Sequence, residues 1–229
     1  MLSIIIPVLN EGETIGNNLS ALQPLRQRGV EVIVVDGGST DATRDLARPL
    51  SDLTLSTSRG RASQMNAGAR QAKGEYFLFL HSDTLLPERA PEQISGALKR
   101  SERVWGRFDV RLDSPLRILR VVAFMMNRRS RWTGIATGDQ AMFVQRRAFE
   151  RIGGFPEIAL MEDIALSKSL KRLSPPACLR ARVTTSGRRW ETNGALRTIL
   201  LMWRLRAAYF LNADPSHLAE RYAHARKHG

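Results

Sequence analysis

The chain has 229 residues, with 35 Lys and Arg against 22 Asp and Glu, and a formal net charge of +13. Its 43% hydrophobic and 25% charged residues are typical of a globular protein and exclude a disordered or collagen-like chain. The single cysteine, Cys178, excludes an intramolecular disulfide framework and a multi-cysteine metal site. The length predicts one domain over residues 1–229 with a full hydrophobic core.

Most of the positive charge lies in residues 121–229. A basic half fits an anionic partner such as nucleic acid, lipid headgroups or a phosphorylated substrate, and a solvated cationic surface explains it equally well. The chain shows no targeting segment and no run of about 20 uninterrupted apolar residues that could span a membrane. We therefore expect a cytoplasmic protein, and contact with the inner face of the membrane stays open.

The first hundred residues alternate between strand and helix patterns. Apolar runs at 2–8, 30–35, 53–57 and 76–80 predict strands, with helices between them. Apolar runs without alternation indicate strands that are covered on both faces, as in a parallel sheet. The sequence therefore predicts an α/β fold, built as a doubly wound, mostly parallel sheet with helices on both faces.

The pattern changes after residue 100. Residues 103–112 alternate like an antiparallel strand, and residues 138–145 predict another strand. Helices are predicted at 116–127 and 162–172, and two more close the chain.

The two closing helices, about 195–211 and 215–227, form a helical C-terminal extension that starts at residue 186. In the first of them Leu196, Trp203 and Phe210 share one helical face with arginines nearby. We expect this face to pack on the core or on a second subunit, and an anionic membrane surface is the alternative.

Polar clusters follow three of the predicted strands. They are Asn10-Glu11, Asp36-Gly37-Gly38 and His81-Ser82-Asp83. Ligands of open α/β sheets bind in the crevice beyond the carboxyl ends of the strands. Acids at several such ends therefore favour a nucleotide or metal site in one crevice.

Five blocks of sequence carry a family resemblance: residues 4–11 (IIIPVLNE), 34–41 (VVDGGSTD), 60–68, 74–83 (GEYFLFLHSD) and 188–191. In order and spacing the first four resemble the family 2 glycosyltransferases, which have the GT-A fold, over roughly the span from residue 2 to residue 170. In its last block and its compact length, the chain resembles members of the bacterial rSAM/selenodomain-associated transferase 2 subgroup.

The resemblance implies a nucleotide diphospho-sugar donor and an acceptor hydroxyl on a small molecule or a lipid-linked compound. Residues 1–100 would form the nucleotide-sugar-binding half, and residues 101–185 the acceptor and catalytic half. By similarity, Pro7, Asn10 and Glu11 would hold the nucleoside of the donor.

Two further residues are assigned to the donor by the same resemblance. Asp36 would accept a hydrogen bond from the base, and a role in forming the turn is its alternative. Arg61 (or Arg59) would contact the base or the phosphates, where a planar donor fork suits both, and a solvated cation is the alternative.

The segment His81-Ser82-Asp83 stands where the family has its Asp-x-Asp signature. The resemblance implies that Asp83 ligates Mg2+ or Mn2+ bridging the donor diphosphate, with Ser82 beside the donor. His81 replaces the first acid of the signature. Its role stays open between metal ligand, phosphate donor and strand-end packing residue, and packing is the preferred interpretation.

The acid pair Glu162-Asp163 opens a predicted helix. In inverting members of the family an acid in this position is the general base, and it matches Asp163 here, with Glu162 beside it. A helix N-terminus stabilises an ionised carboxylate, so both acids could instead serve only the helix dipole.

The acceptor side is assigned to Asp139 and Gln140, with a simple turn as the alternative. Residues 186–190 resemble the Gln-x-x-Arg-Trp signature of processive members, with Ser186 in place of Gln. Arg188 and Arg189 could fold over the diphosphate, and Trp190 could stack on an acceptor ring. A surface arginine pair with a packed Trp is the alternative.

The resemblance implies an inverting, metal-dependent glycosyltransferase; we expect no specific nucleic-acid binding, and a homo-oligomer stays open. One alternative is a non-catalytic basic binding protein for nucleic acid or an anionic membrane surface. Another is a sugar-phosphate nucleotidyltransferase. Such an enzyme would need a Gly-rich basic loop after the first strand, but residues 10–13 of that loop carry two acids here. A dehydrogenase would need G-x-G-x-x-G after the first strand, and residues 7–12 lack it.

Overall fold

The computed structural model describes residues 1–100 and 102–227, apart from the side chains of Arg189 and of residues 224–227. The strands of this part are β1 (Leu2–Val8), β2 (Glu31–Asp36), β3 (Leu53–Ser56), β4 (Tyr76–Phe79), β5 (Thr84–Leu85), β6 (Trp105–Asp113), β7 (Met142–Gln145) and β8 (Ala177–Ser186). They form one sheet in the order β3-β2-β1-β4-β7-β6-β8-β5.

Helices cover both faces of this sheet. They are α1 (Ile15–Ser20), α2 (Gln23–Gln27), α3 (Thr43–Ala47), α4 (Arg61–Gln71), α5 (Ala90–Lys99), α6 (Ile118–Thr133), α7 (Arg146–Arg151), α8 (Glu162–Lys171), α9 (Arg188–Asn193), α10 (Ala195–Phe210) and α11 (Pro215–Lys227). Short 3-10 turns lie at Arg48–Leu50 and Gly138–Gln140.

The first half of the sheet is parallel, as the sequence predicts. Strand β1 pairs in parallel with β2 and β4, and β3 pairs in parallel with β2. Ile4 and Ile6 pack into the core on one face of the sheet, and Ile5 packs into the core on the other face. Because successive side chains of a strand point to opposite faces, an unbroken apolar run serves both cores at once.

The second half of the sheet is mixed. Strand β7 is antiparallel to β4 and β6, β6 is parallel to β8, and β5 is antiparallel to β8. The strand predicted at 103–112 is therefore antiparallel to only one of its neighbours. The strand predicted at 138–145 is wrong at its start, because Gly138–Gln140 forms a 3-10 turn and Ala141 has a positive φ of 45°.

Helix α10 packs on a third core cluster around Met161 and Ile164, through Leu205 and neighbouring side chains. The face that was expected to pack, with Leu196 and Trp203, is exposed to solvent. The expectation that this face packs on the core is therefore wrong. Across the described residues, no helix combines the length and the apolar content that crossing a bilayer requires.

Candidate active site

The loops that follow β1 and β2 are held together by polar side chains. The Oδ1 atom of Asn10 accepts a hydrogen bond from the N–H of Thr40, and the N–H of Asn10 donates to Ser39 Oγ, both at 2.9 Å. Asn10 has a φ of 53°, a conformation that Asn tolerates better than most residues. The N–H of Glu11 donates to Thr43 Oγ1 at 2.8 Å. These bonds place the first polar cluster beside the second.

Asp36, at the end of β2, is 1% exposed. Its Oδ2 accepts hydrogen bonds from the N–H groups of Gly38 and Ser39, both at 3.0 Å. The carboxylate thus forms the turn, the alternative that the sequence left open, and its contact with a base stays a prediction. Pro7 is buried in β1, where it pairs with Val35 of β2, and its contact with the nucleoside stays a prediction.

Arg61 and Arg59 are both exposed where the chain enters α4. The positive charge of Arg61 acts on Glu162 and lowers the pKa of that carboxyl, against a larger effect of burial, which raises it. Arg61 therefore lies close enough to the start of α8 to interact with Glu162, one of the two predicted catalytic acids. The structure gives no such interaction for Arg59.

Asp83 lines a polar cavity of about 220 Å³ between α1 and the ends of β6 and β8. Its Oδ1 accepts a hydrogen bond from Thr185 Oγ1 at 3.3 Å, and Asn17 and Asn18 of α1 line the same cavity. Arg188, which is exposed, also lines it. Two residues that the resemblance assigns to the diphosphate, 105 positions apart in the sequence, thus share one cavity.

A divalent metal at Asp83 would have at most one further protein carboxylate near it, that of Asp113, the other acid that lines the same cavity. The described residues contain no group of three or more His, Cys, Asp or Glu that could hold a metal ion. His81, the other candidate ligand, pairs with Asp139. Mg2+ in proteins is usually held by one or two carboxylates together with substrate phosphates and water. The side chains present therefore fit a metal that arrives with the diphosphate, and not a protein-only cage.

His81 and Asp163 are linked through a short turn. His81 Nδ1 lies 3.3 Å from Asp139 Oδ1. Gly138, the residue before Asp139, lies against the His81 ring. The N–H of Gly138 donates a hydrogen bond to Asp163 Oδ2 at 2.9 Å. The turn Gly138–Gln140 therefore joins the loop after β4 to the start of α8. His81 is half-buried and has a carboxylate partner, and its role among the three expected ones stays a prediction.

The two acids that open α8 lie in different environments. Glu162 is buried, and burial raises the pKa of its carboxyl, with a further increase from the negative charge of Asp163. Asp163 is half-buried, and its Oδ1 accepts a hydrogen bond from the N–H of Ile164 at 2.7 Å. Adjacent carboxyls whose environments differ in this way can take different protonation states. Asp163 is the more accessible of the two.

Two arginines that the sequence did not single out lie beside Asp163. Burial, and after it repulsion by Arg206 on α10, lower the pKa of Arg129, on α6, to about 10. Burial also lowers the pKa of Arg206, and both guanidinium groups are attracted by Asp163 and Asp139. The Nε and Nη2 atoms of Arg129 and the Nε atom of Arg206 are buried without a hydrogen-bond partner. The sequence signal for Arg206 is an arginine between apolar neighbours in a predicted helix.

Gln140 lies inside the protein, so its assignment to the acceptor side is wrong. It is fully buried, its Oε1 accepts a hydrogen bond from the N–H of Thr137, and its Nε2 donates to Asn127 Oδ1, both at 3.3 Å. Asp139, by contrast, is half-buried in the cluster with His81 and Asp163.

The remaining predicted residues lie outside this cluster. Trp190 is half-buried against the larger core cluster, as in the packed alternative. The side chain of Arg189 lies outside the described residues. Ser82 is half-buried, and its carbonyl oxygen accepts a hydrogen bond from Asn18 Nδ2 at 2.5 Å. A contact of Ser82 or Trp190 with substrate stays a prediction.

Curated relatives of this chain include the poly-beta-1,6-N-acetyl-D-glucosamine synthases of Staphylococcus aureus (strain COL) and Staphylococcus epidermidis. Each is 30% identical over 96 residues, which is 39% of this chain and 23% of the relative. The match thus spans less than a quarter of these relatives.

Solved structures with the same fold include Staphylococcus aureus TarS 1–349 in complex with UDP, with a TM-score of 0.64 and 19% identity over 81% of this chain and 60% of that chain. The mannosyltransferase PcManGT from Pyrobaculum calidifontis, in complex with GDP-Man and Mn2+, has a TM-score of 0.61 and 24% identity over 90% and 60%. These similarities confirm the predicted GT-A fold.

The family model of glycosyl transferase family 2 matches residues 3–153. This span includes the parallel half of the sheet, the loops with Asn10, Asp36 and Asp83, and the turn with Asp139. It covers more than half of the chain, and its position agrees with the motifs in the sequence. The chain therefore belongs to glycosyl transferase family 2.

Proposed function

We propose that this chain transfers a sugar from a nucleotide diphospho-sugar to an acceptor hydroxyl, with inversion at the anomeric carbon. Family membership supports the reaction class. The observation that carries the mechanism is the linkage of Asp163, Asp139 and His81 through the turn Gly138–Gln140, beside the carboxyl ends of the strands. Membership of the rSAM/selenodomain-associated subgroup remains part of the proposal.

In this proposal Asp163 is the general base. It takes the proton of the acceptor hydroxyl while the hydroxyl oxygen forms a bond to the anomeric carbon of the donor. The bond from that carbon to the β-phosphate oxygen breaks, and the nucleoside diphosphate leaves with the electron pair. Asp163 lies in the first turn of α8, where the helix dipole stabilises its negative charge. The same carboxylate attracts Arg129 and Arg206.

The leaving diphosphate is assigned to the cavity that Asp83 and Arg188 share. A guanidinium suits phosphate oxygens because its donors form a planar fork. Asp83 and the donor phosphates would together hold Mg2+ or Mn2+, which supplies neutralisation of the charge that develops on the leaving group. The Mn2+ complex of PcManGT, a structural neighbour, supports this assignment.

A thermal-shift experiment tests the donor. The protein is heated with UDP, GDP, dTDP, ADP or CDP, each with Mg2+, with Mn2+ or with a chelator. A ligand at 100 times its dissociation constant adds about 2.7 kcal/mol to the stability of the folded state. We expect one diphosphate to stabilise the protein most when metal is present.

Variants locate this effect. Asp83→Asn should remove the metal-dependent part of the stabilisation, and Asp45→Asn, an exposed acid on α3, should leave it intact. Stabilisation by none of the diphosphates would contradict the proposal. Stabilisation by a nucleoside triphosphate and a sugar phosphate would favour the nucleotidyltransferase alternative.

Inversion is tested on the donor once it is identified. Slow hydrolysis of the donor by water releases the free sugar, and proton NMR shows which anomer forms first. The inverted anomer is expected, because water then occupies the place of the acceptor hydroxyl beside Asp163. Release of the sugar with the anomeric configuration of the donor would contradict this part of the proposal.

A further inference from the structure

Helix α6 exposes a stripe of large apolar side chains. Val121, Phe124, Met125 and Trp132 are between 55% and 75% exposed, Trp132 the most. The opposite side of the helix packs on the core through residues such as Leu119. Single exposed apolar residues are ordinary, but a continuous stripe of this size marks an interaction surface.

Helix α10 exposes a second stripe. Leu196, Leu200, Trp203 and Phe210 are between 52% and 71% exposed, while Leu205 is buried in the third core cluster. This helix therefore has one apolar side that packs on the protein and another that faces solvent. Its composition alone did not distinguish the two sides.

Both stripes lie beside the candidate active site. On α6, Arg129 is four positions after Met125 and three before Trp132. On α10, Arg206 is three positions after Trp203 and four before Phe210. Residues three and four apart are neighbours on a helix surface, so each arginine borders the stripe of its own helix. Leu205 of α10 packs in one core cluster with Ile135, just after α6, and Ile164, next to Asp163. Both arginines are also attracted by Asp163, so the two stripes flank one site.

The stripes are also basic. The Arg128 guanidinium lies 4.5 Å from the centre of the Trp132 ring and 5.8 Å from that of Phe124. Arg120 on α6 and Arg204 on α10 are exposed. Helices that lie in a membrane interface combine Trp, Phe and Leu on one side with Arg and Lys beside them, because anionic headgroups attract the cations while the apolar side chains enter the lipid.

We propose that the α6/α10 face, formed by the two stripes and the arginines beside them, docks on an anionic lipid bilayer. The helices would lie along the membrane surface, with Asp163 at the level of the headgroups. Charge complementarity favours this occupant over a second copy of the chain, since self-association would bring the arginines of two strongly basic molecules together. The inference concerns binding and does not depend on the proposed transfer reaction.

Vesicle co-sedimentation tests the inference. The protein is mixed, without nucleotide, with vesicles of phosphatidylcholine alone or of phosphatidylcholine and phosphatidylglycerol in equal parts. We expect binding to the anionic vesicles, and weaker binding when salt screens the charges. The double variant Trp132→Ser/Trp203→Ser should bind at least about tenfold more weakly, since two large apolar side chains no longer enter the lipid.

Matched controls separate the face from the rest of the surface. Leu46→Ser removes an exposed apolar side chain of α3, and Arg44→Gln removes an exposed charge of the same helix, so both should bind vesicles like the wild type. Arg120→Gln and Arg204→Gln should each weaken binding about fivefold. All the variants change exposed side chains, and circular dichroism checks that they remain folded.

Several outcomes would overturn the inference. One is that the double variant binds anionic vesicles as strongly as the wild type. Another is that the wild type binds neither kind of vesicle. A dimer in light scattering that the double variant converts to a monomer, without vesicle binding, would assign the face to a second copy of the chain. The thermal shift by nucleoside diphosphates is measured separately, so failure of one proposal is distinguishable from failure of the other.

Discussion

The ring of His81 lies so close to Gly138 that a Cβ atom at position 138 would be 2.3 Å from His81 Nε2. Gly138 also donates its N–H to Asp163, and its neighbour Asp139 pairs with the other nitrogen of the same ring. A glycine at this position therefore allows a loop, a turn and a helix start to meet within a few ångströms. We expect the candidate site to depend on this contact.

The first prediction concerns that contact. Gly138→Ala should lower the free energy of unfolding by about 1–3 kcal/mol, because the added methyl group displaces the ring or the turn. Urea unfolding measures the change. Gly96→Ala in α5 is the matched control: nothing lies within 4 Å of its added Cβ, and it should stabilise the protein by about 0.5–1 kcal/mol. A Gly138→Ala variant as stable as the wild type would contradict the prediction.

The second prediction concerns the general base. Asp163→Asn keeps the shape of the side chain and can still accept the Gly138 hydrogen bond through its amide oxygen, but it cannot take a proton. Transfer should fall by about 10²–10⁴-fold, with donor affinity nearly unchanged. Steady-state kinetics and the thermal shift measure the two quantities, and Asp45→Asn serves as the control. If Asp163→Asn turns over at the wild-type rate, Asp163 is not the general base and the prediction fails.

The third prediction concerns pH. Burial, and then the charge of Asp163, raise the pKa of Glu162 above its ordinary value of 4.5. The folded state therefore favours the protonated acid, so the contribution of Glu162 to stability is fully present below pH 4.5 and is lost as the pH rises through the folded value. Glu162→Gln removes this loss.

Urea unfolding at several pH values checks this pH dependence of the Glu162 contribution. The stability of Glu162→Gln relative to the wild type should increase as the pH rises from 4.5 toward neutrality. Glu88→Gln, which changes an exposed acid, should show no such trend. A stability difference that does not vary with pH would show that Glu162 is ionised equally in the folded and unfolded chains.

The fourth prediction concerns Arg129, whose Nε and Nη2 atoms are buried without a hydrogen-bond partner. Replacing a buried, incompletely bonded charge by an apolar side chain of similar length removes a desolvation cost. Arg129→Met should therefore raise the free energy of unfolding by about 1 kcal/mol. It should also slow transfer, since the cation beside Asp163 is lost.

Arg128→Met is the control, because it changes the neighbouring arginine, which is exposed. It should leave both stability and transfer close to the wild type. If Arg129→Met instead unfolds at a lower urea concentration than the wild type, the guanidinium contributes to the fold, and the prediction fails.

Much of the first half of the fold was predictable because its signals are local. The run from Leu2 to Val8 serves two cores at once, so it is apolar throughout and can be recognised without its neighbours. Strand β8 escaped prediction because buried and partly exposed residues are interspersed along it, which leaves no continuous apolar run. The short strand β5 has only two residues, Thr84 and Leu85, and carries no pattern.

The candidate site was predictable in part. The polar clusters after the strands, and the acid pair at the start of α8, could be located because the ends of strands and helices carry residues of recognisable type. The sequence did not reveal that His81 pairs with Asp139 or that Arg206 lies beside Asp163. These side chains belong to elements whose separation depends on how the helices pack on the sheet.

The sequence by itself determined the α/β class and the family, because runs of apolar residues and short polar motifs act over a few neighbouring positions, and it predicted which acids to propose for catalysis. Only the tertiary structure decided that Gln140 is interior while Asp139 is accessible, and that Trp203 faces solvent while Leu205 is buried. Each of these pairs has similar chemistry and nearly the same position in the chain. Their environments differ because the packing of distant elements chooses which side of a turn or a helix is covered.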